Sequence, residues 1–415
     1  MPRDPAAPRH RRHHQADAVQ GRVVRAAAIA LTLAACGASS TPSDPDAPPP
    51  IADAGVDAAT YGDYPWALPP GFPVPKVPAD SPVTAERVEL GRRLFYDKRL
   101  ARNRTQSCGS CHQQARAFTD GLANAVGSTG VVNRRSSMSL ANVAYNTAQT
   151  WANPTLRTLE MQAAVPLLGD NPVELGNAGA DAELLDRLRA EPLYPAMFAA
   201  AFPDEAEPFT VYNVLRAIAA FERRLISGTS PYDRYARGGD EAAISDSAKR
   251  GSALFFGERF ECHHCHGSFA LTNSVTWVGK DIDELSYHNN GLYNVDGQGA
   301  YPARDQGLLG VSLQPNDMGR FRPPTVRNVA VTAPYMHDGS IATLREVIVD
   351  HYARGGRLIE TGPDAGDGAK SPYKALFVSG FAIAPQEVDD LIAFLESTTD
   401  EQFLTDPALA DPWAP

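Results

Sequence analysis

The chain carries the pattern C-x-x-C-H twice, as Cys108-Gly109-Ser110-Cys111-His112 and as Cys262-His263-His264-Cys265-His266. Two thiols at this spacing can form thioethers to the two vinyl groups of one porphyrin. The adjacent histidine then presents its imidazole to the iron. Each copy predicts a covalent haem c, with His112 and His266 as axial ligands, inside a shell of helices. The competing reading is a zinc knuckle, because C-x-x-C pairs also hold zinc. A zinc site does not need the histidine at the same offset in both copies.

The chain has five cysteines, and the two motifs use four of them, so no disulfide framework is expected. The fifth, Cys36, closes an apolar run from Ala26 to Ala35 that follows an arginine-rich start. A basic region, a short apolar run and small residues before a cut make a secretory signal. The run is too short to span a bilayer permanently. Leu33-Ala34-Ala35-Cys36 resembles the lipobox of bacterial lipoproteins, in which Cys36 becomes the acylated first residue of the mature chain. An ordinary signal peptide with an incidental cysteine is the alternative. The basic region is long for such a signal, so the expected start lies downstream of Met1. Either reading predicts export to the periplasm or cell envelope. The lipobox reading adds a lipid anchor at the outer membrane, the one expected contact with a membrane. A net charge of -11 argues against a nucleic-acid partner.

Residues 37–78 are rich in Pro, Ala, Asp and Ser and read as a flexible linker. From Thr84, the expected cap, Val88, Gly91, Leu94 and Phe95 share one helical face. The stretch Ser245 to Phe255 repeats this design. In both, a glycine (Gly91, Gly251) stands three residues before a Leu-Phe pair, and C-x-x-C-H follows. The small residue would let a partner helix cross closely. The first domain is expected to end with a helix at Val211–Leu225, with Val214, Leu215, Ile218, Phe221 and Leu225 in phase, and the second to close with one from Pro385 to about Thr398, with Val388, Leu391, Ile392 and Leu395 in phase. The predicted fold is mainly α: two cytochrome-c-like domains, each binding one covalent haem, with long irregular loops. The expected boundaries are 1–36 for the signal, 37–78 for the linker, 79–238 and 239–400 for the two domains, and 401–415 for a C-terminal tail. A small β-ribbon is not readable from the pattern. With 43% apolar residues the chain can bury two ordinary cores.

These stretches together resemble the bacterial di-haem cytochrome c peroxidase and MauG superfamily, over roughly residues 80–400. The residues that carry the resemblance are Leu90 to Asp97, both haem motifs, Asn171-Pro172-Val173-Glu174, Pro324 to Val329, and Thr332 to Ser340. In detail the chain looks most like the MauG-like subgroup associated with methanobactin biosynthesis, which works beside a small secreted partner protein. The resemblance implies two haem c groups and one calcium ion. It implies a peroxidatic first haem, held by His112, with Gln162, Pro166 and Glu174 on its open side. Glu174 would move the peroxide proton, with the Gln162 amide as orienter. The Gln162-to-Glu174 spacing exceeds the common pattern, which implies a small insertion near Leu168-Gly169-Asp170. The family's removable distal histidine falls at Ser128, in Val126-Gly127-Ser128-Thr129-Gly130, so this iron is expected to be open or water-bound.

At the second haem the resemblance calls for a sixth ligand: Met in the peroxidases, Tyr in MauG-like enzymes. The helix from Leu344 to Gly356 has no methionine. Anchoring on the glycine pair selects Tyr352, whereas a gapless count from His337 reaches His351. Met336 and Met318 are expected to pack rather than ligate, and His263 and His264 to be exposed polar residues. Trp151 falls where the family keeps a bridging indole between the haems, although a tryptophan is more often plain core. Surface residues such as Trp277 or Trp413 could relay holes outward. The carbonyls of Thr332 and Pro334 match calcium ligands, and Ser136 stands where the family has Asn. The implied function is a MauG-like enzyme that uses hydrogen peroxide to form a high-valent di-haem state. That state would oxidise an aromatic residue, Trp before Tyr, of the partner at long range. The alternatives are a peroxide reductase fed by small redox proteins and a non-catalytic electron carrier.

Overall fold

Residues 64–414 are described by a computed structural model. Cys36, the signal and most of the linker lie outside them. Among the described residues, the helices of eight residues or more are α1 (Ala85–Tyr96), α2 (Leu159–Leu168), α3 (Asp181–Arg189), α4 (Tyr194–Ala201), α5 (Val211–Arg223), α6 (Asp246–Phe256) and α7 (Pro385–Ser397). Long loops with single helical turns join them. The ribbon that was not legible pairs β1 (Leu358–Ile359) with β2 (Gly366–Asp367), antiparallel. No helix among the described residues is long and apolar enough to cross a membrane.

The repeat is physical. Thr84 and Ser245 cap α1 and α6, their hydroxyls accepting from the Arg87 and Ala248 amides. α1 crosses α5 at Gly91, where an added Cβ would lie 1.8 Å from the Ala217 carbonyl oxygen. α6 crosses α7 at Gly251, where a Cβ would lie 1.8 Å from the Asp390 carbonyl oxygen. The aromatic pairs at the crossings match as well. Phe95 and Phe221 stand 5.2 Å apart, and Phe255 and Phe394 stand 4.9 Å apart. The same phenylalanines meet the motif histidines at 6.4 Å and 45°, Phe95 with His112 and Phe255 with His266.

Gly251→Ala gains about 1 kcal/mol of helix propensity, but the methyl group has no room against backbone. Overpacking of about 1–3 kcal/mol or more is expected to win. Thermal unfolding of the Gly251→Ala protein checks this; an unchanged or higher melting temperature contradicts the close crossing.

Both ends of the described residues are tied down further than composition indicated. Phe72, inside the expected linker, is 7% exposed and packs edge-on against Phe269 at 4.9 Å. The Tyr145 hydroxyl donates to the Pro73 carbonyl at 2.7 Å. The C-terminal tail returns to the first core, where Phe403, Leu404 and Leu409 are buried among α1, α4 and α5 side chains. The Trp413 indole N–H donates to the Arg93 carbonyl at 2.9 Å. A buried pair, Arg327 with Asp233, links the Pro324–Val329 loop to the segment after α5, with contacts of 2.7 and 2.8 Å. Asp233 sits well below the usual carboxylate range because Arg327 and Ser230 outweigh its burial.

Candidate functional site

At the first motif, Cys108–Cys111 form one helical turn, and His112 ends it. Ala117 and Phe118 both take left-handed backbone, which turns the Phe118 carbonyl onto His112 Nδ1 at 2.7 Å. That bond fixes the ring and leaves Nε2 for a ligand. Burial lowers the His112 pKa, so the imidazole is neutral, as a metal ligand must be. Leu271, also left-handed, does the same for His266, its carbonyl 3.4 Å from Nδ1. Burial pushes the His266 pKa down to about 4. The four motif thiols are free. Burial raises them all, Cys111 and Cys265 to about 11.

Each motif opens on its own cavity. The first encloses about 640 Å³ including its mouth, and Cys108, Cys111, His112, Gln162, Pro166, Glu174 and Glu222 line it. α2 carries Gln162 and Pro166 one turn apart, hence on one face. The extra length near Leu168-Gly169-Asp170 falls just after this helix. The chain then folds back, and the Leu175 amide donates to the Pro166 carbonyl at 3.0 Å. Asn177, fully buried, holds the return by donating to the Leu100 and Leu167 carbonyls. The turn at Val126–Gly130 clamps the other side. Ser128 N–H donates to the Glu174 carbonyl at 2.7 Å. A Cβ on Gly127 would meet the Val173 carbonyl at 2.1 Å. The structure therefore brings Gln162, Pro166 and Glu174 to one cavity despite their irregular spacing. Among the described residues, Ser128 is not in the lining, and His112 is the one histidine that is. Burial raises the Glu174 pKa, opposed in part by the Asn133 amide.

Glu222 lines the same cavity and was missed. Its Oε2 is buried without a hydrogen-bond partner, and burial pushes its pKa up to about 8. The signal was present: Glu222 lies four residues after Ile218 and seven after Leu215, on the apolar face of α5.

The second cavity encloses about 1340 Å³ including its mouth. Cys262, Cys265 and His266 meet an apolar wall there that includes Phe255, Val326, Leu344 and Leu391. Thr343 caps a single turn, Leu344–Glu346, which runs into a π-helix at Val347–Tyr352. A π segment inserts one residue into the helical register. It explains the ambiguous count from His337. Tyr352 lines the cavity; His351 is not among the lining residues and is fully buried with both ring nitrogens unpartnered. Burial raises the Tyr352 phenol, with the Asn290 side chain opposing. Met336 lines the cavity too, its sulfur 3.4 Å from the Asn290 amide. Met318 packs beside Tyr301 and Phe321.

Trp151 lines the second cavity, and its indole N–H donates to the Ser136 carbonyl at 3.1 Å. Ser136 joins the Thr332–His337 loop. Its amide donates to the His337 carbonyl at 2.8 Å, and its hydroxyl lies 3.3 Å from the Met336 carbonyl. His263 and His264 are not simply exposed. They are half-buried and face Glu258 and Glu261. Paired free thiols, a neutral imidazole beside each pair and a roomy cavity form a donor set that fits a covalent haem at each motif.

Comparison with known proteins agrees with this arrangement. The family described as di-haem cytochrome c peroxidase matches residues 85–241. The chain is 35% identical to the methylamine utilization protein MauG of Methylorubrum extorquens, over 80% of this chain and 83% of that one. It is 35% identical to the cytochrome-c peroxidase IdrP1 of Pseudomonas sp. (strain SCT), over 88% and 94%. A crystal structure of a MauG-like protein associated with microbial copper homeostasis superposes with a TM-score of 0.82 at 47% identity, covering 85% of this chain and all of that one.

Proposed function

The chain belongs to the di-haem cytochrome c peroxidase and MauG family, on its MauG-like side, and on that premise we propose that it uses hydrogen peroxide to oxidise an aromatic residue of a small secreted partner protein. It is a haem-dependent oxidoreductase acting on peroxide, with two haem groups. The proposal adds the division of labour and the substrate, a tryptophan before a tyrosine. The observation that carries it is the first cavity: a single histidine lines it, and Gln162 and Glu174 share it.

When bound, the haems supply the capacity to take a pair of electrons into peroxide and draw them back from the substrate. Cys108, Cys111 and His112 would hold the first, and Cys262, Cys265, His266 and Tyr352 the second. The protein's own work is proton handling and positioning. Glu174 takes the proton from the near oxygen of the peroxide and returns it to the departing oxygen, which leaves as water. Desolvation suits it to this, because a raised pKa makes the carboxylate a stronger base. The Gln162 amide orients the peroxide, and Pro166 narrows the space beside it. Trp151 would pass the oxidising equivalent between the two sites. A calcium ion, held by the Thr332 and Pro334 carbonyls and Ser136, belongs to the proposal, as do two haem domains at 79–238 and 239–400. So does export with a lipid anchor on Cys36.

A second reading is a cytochrome c peroxidase that reduces peroxide with electrons from small redox proteins. Met336 favours it, because this methionine also lines the second cavity. The two separate in one titration. Stoichiometric peroxide added to the diferric protein without reductant is expected to give a long-lived near-infrared band. Rapid peroxide turnover that starts only after partial reduction, with a cytochrome or cupredoxin donor, contradicts the first reading.

A further inference from the structure

The two variable positions of the second haem motif, His263 and His264, have no role in holding a porphyrin. Yet they sit against two carboxylates. His264 Nε2 lies 2.9 Å from Glu261 Oε2 and 3.9 Å from Glu258 Oε2, and His263 Nε2 lies 3.6 Å from Glu258 Oε1. One ligand atom from each of Glu258, His263 and His264 falls within 4.8 Å of the others. We propose that Glu258, His263 and His264, with Glu261 bonded to His264, form a binding site for a divalent transition-metal ion, with copper(II) preferred over zinc(II).

The cluster is held in place before any ion arrives. Glu261 takes a left-handed backbone conformation, φ 59°, which non-glycine residues adopt only when their surroundings impose it. That turn aims its carboxylate at His264. The His264 ring is fixed by stacking on Phe377, with centroids 4.2 Å apart and planes at 16°. The His263 and His264 rings lie 4.2 Å apart, so their adjacent positions do not splay them. Glu258, 83% exposed at its side chain, faces solvent on the open side of the cluster.

Charge agrees with the geometry. Two carboxylates face the imidazoles, and a divalent ion offsets their charge. An imidazole and carboxylate set suits zinc and copper, and affinity at such a site rises toward copper(II). A pair of histidines that serve only as solvated polar residues needs neither the strained turn nor two carboxylates. The site also has an address. Glu261 and Phe377 line the second cavity together with Cys262 and Cys265. An ion here would sit at the rim of the group those cysteines hold.

Copper(II) titrated into the holoprotein in metal-free buffer tests this by calorimetry, together with electron paramagnetic resonance of the copper signal. The wild type is expected to bind one more copper(II) than the His264→Gln variant, with nitrogen hyperfine structure that the variant loses. Glu258→Gln, at an exposed position that does not endanger folding, is expected to weaken that site about 10-fold or more. Histidines outside the cluster are the same in wild type and variants and cancel in the difference. Equal copper stoichiometry and affinity in wild type and both variants overturns the proposal, as does a wild type that binds no copper(II) at these residues.

Discussion

The Glu174→Gln enzyme is expected to react with peroxide about 10²–10⁴-fold more slowly than the wild type, with both haems attached and thermal stability little changed. The substitution keeps the shape of the side chain and removes its ability to accept a proton. Proton transfer between the two peroxide oxygens then needs bulk water, which the clamped loop from Asn171 to Leu175 restricts. The hydrogen bonds that fix this loop use the backbone at Glu174 and Leu175, so they survive the change. A stability loss is therefore not the expected cause of a slow reaction. Glu222 lines the same cavity, and burial pushes its pKa up to about 8. Stopped-flow absorbance after mixing with peroxide reads the rate; an unchanged rate in Glu174→Gln removes the acid–base role.

The second large effect is at Tyr352. Tyr352→Met exchanges an oxygen donor for a thioether, and a methionine ligand raises the potential of a c-type haem. Axial ligands move haem potentials over a range of about 0.8 V. The second haem of the variant is expected to rise by on the order of 0.1 V or more. The long-lived near-infrared band should disappear, and the enzyme should gain dependence on prior reduction. The control is His351→Leu. His351 is fully buried with both nitrogens unpartnered, so an apolar residue of similar size removes two unsatisfied atoms without touching the cavity wall. Spectroelectrochemistry of both variants decides the matter. If His351→Leu shifts the potential and Tyr352→Met does not, the ligand assignment is reversed.

What the sequence revealed followed from short-range geometry. The thiol spacing, the capping hydroxyls and the glycine before each Leu-Phe pair are local, and the structure uses all of them. Gln162, Pro166 and Glu174 were reached only through the family resemblance; the helix that puts Gln162 and Pro166 on one face and the irregular loop that returns Glu174 to them are seen in the structure. The register of Tyr352 was obscured by the π segment at Val347–Tyr352, since one inserted residue leaves no compositional trace. Glu222 was overlooked because the apolar members of α5 drew attention to the pattern and away from the carboxylate within it. Phe72 and the tail beyond Glu401 were read as loose from composition, yet their few large apolar residues pack into cores built by distant segments. His263 and His264 were assigned to solvent on motif position alone; the opposing carboxylates arrive through a backbone turn that no spacing rule predicts.

The account rests on unequal coordination of the two irons. Low-temperature electron paramagnetic resonance of the diferric holoprotein reads it directly. The expected spectrum combines a high-spin ferric signal from the haem at His112 with a separate signal from a second haem whose axial pair is histidine and a phenolate oxygen. Two low-spin signals with no high-spin component, or a second haem with the spectral signature of histidine–methionine ligation, would contradict it.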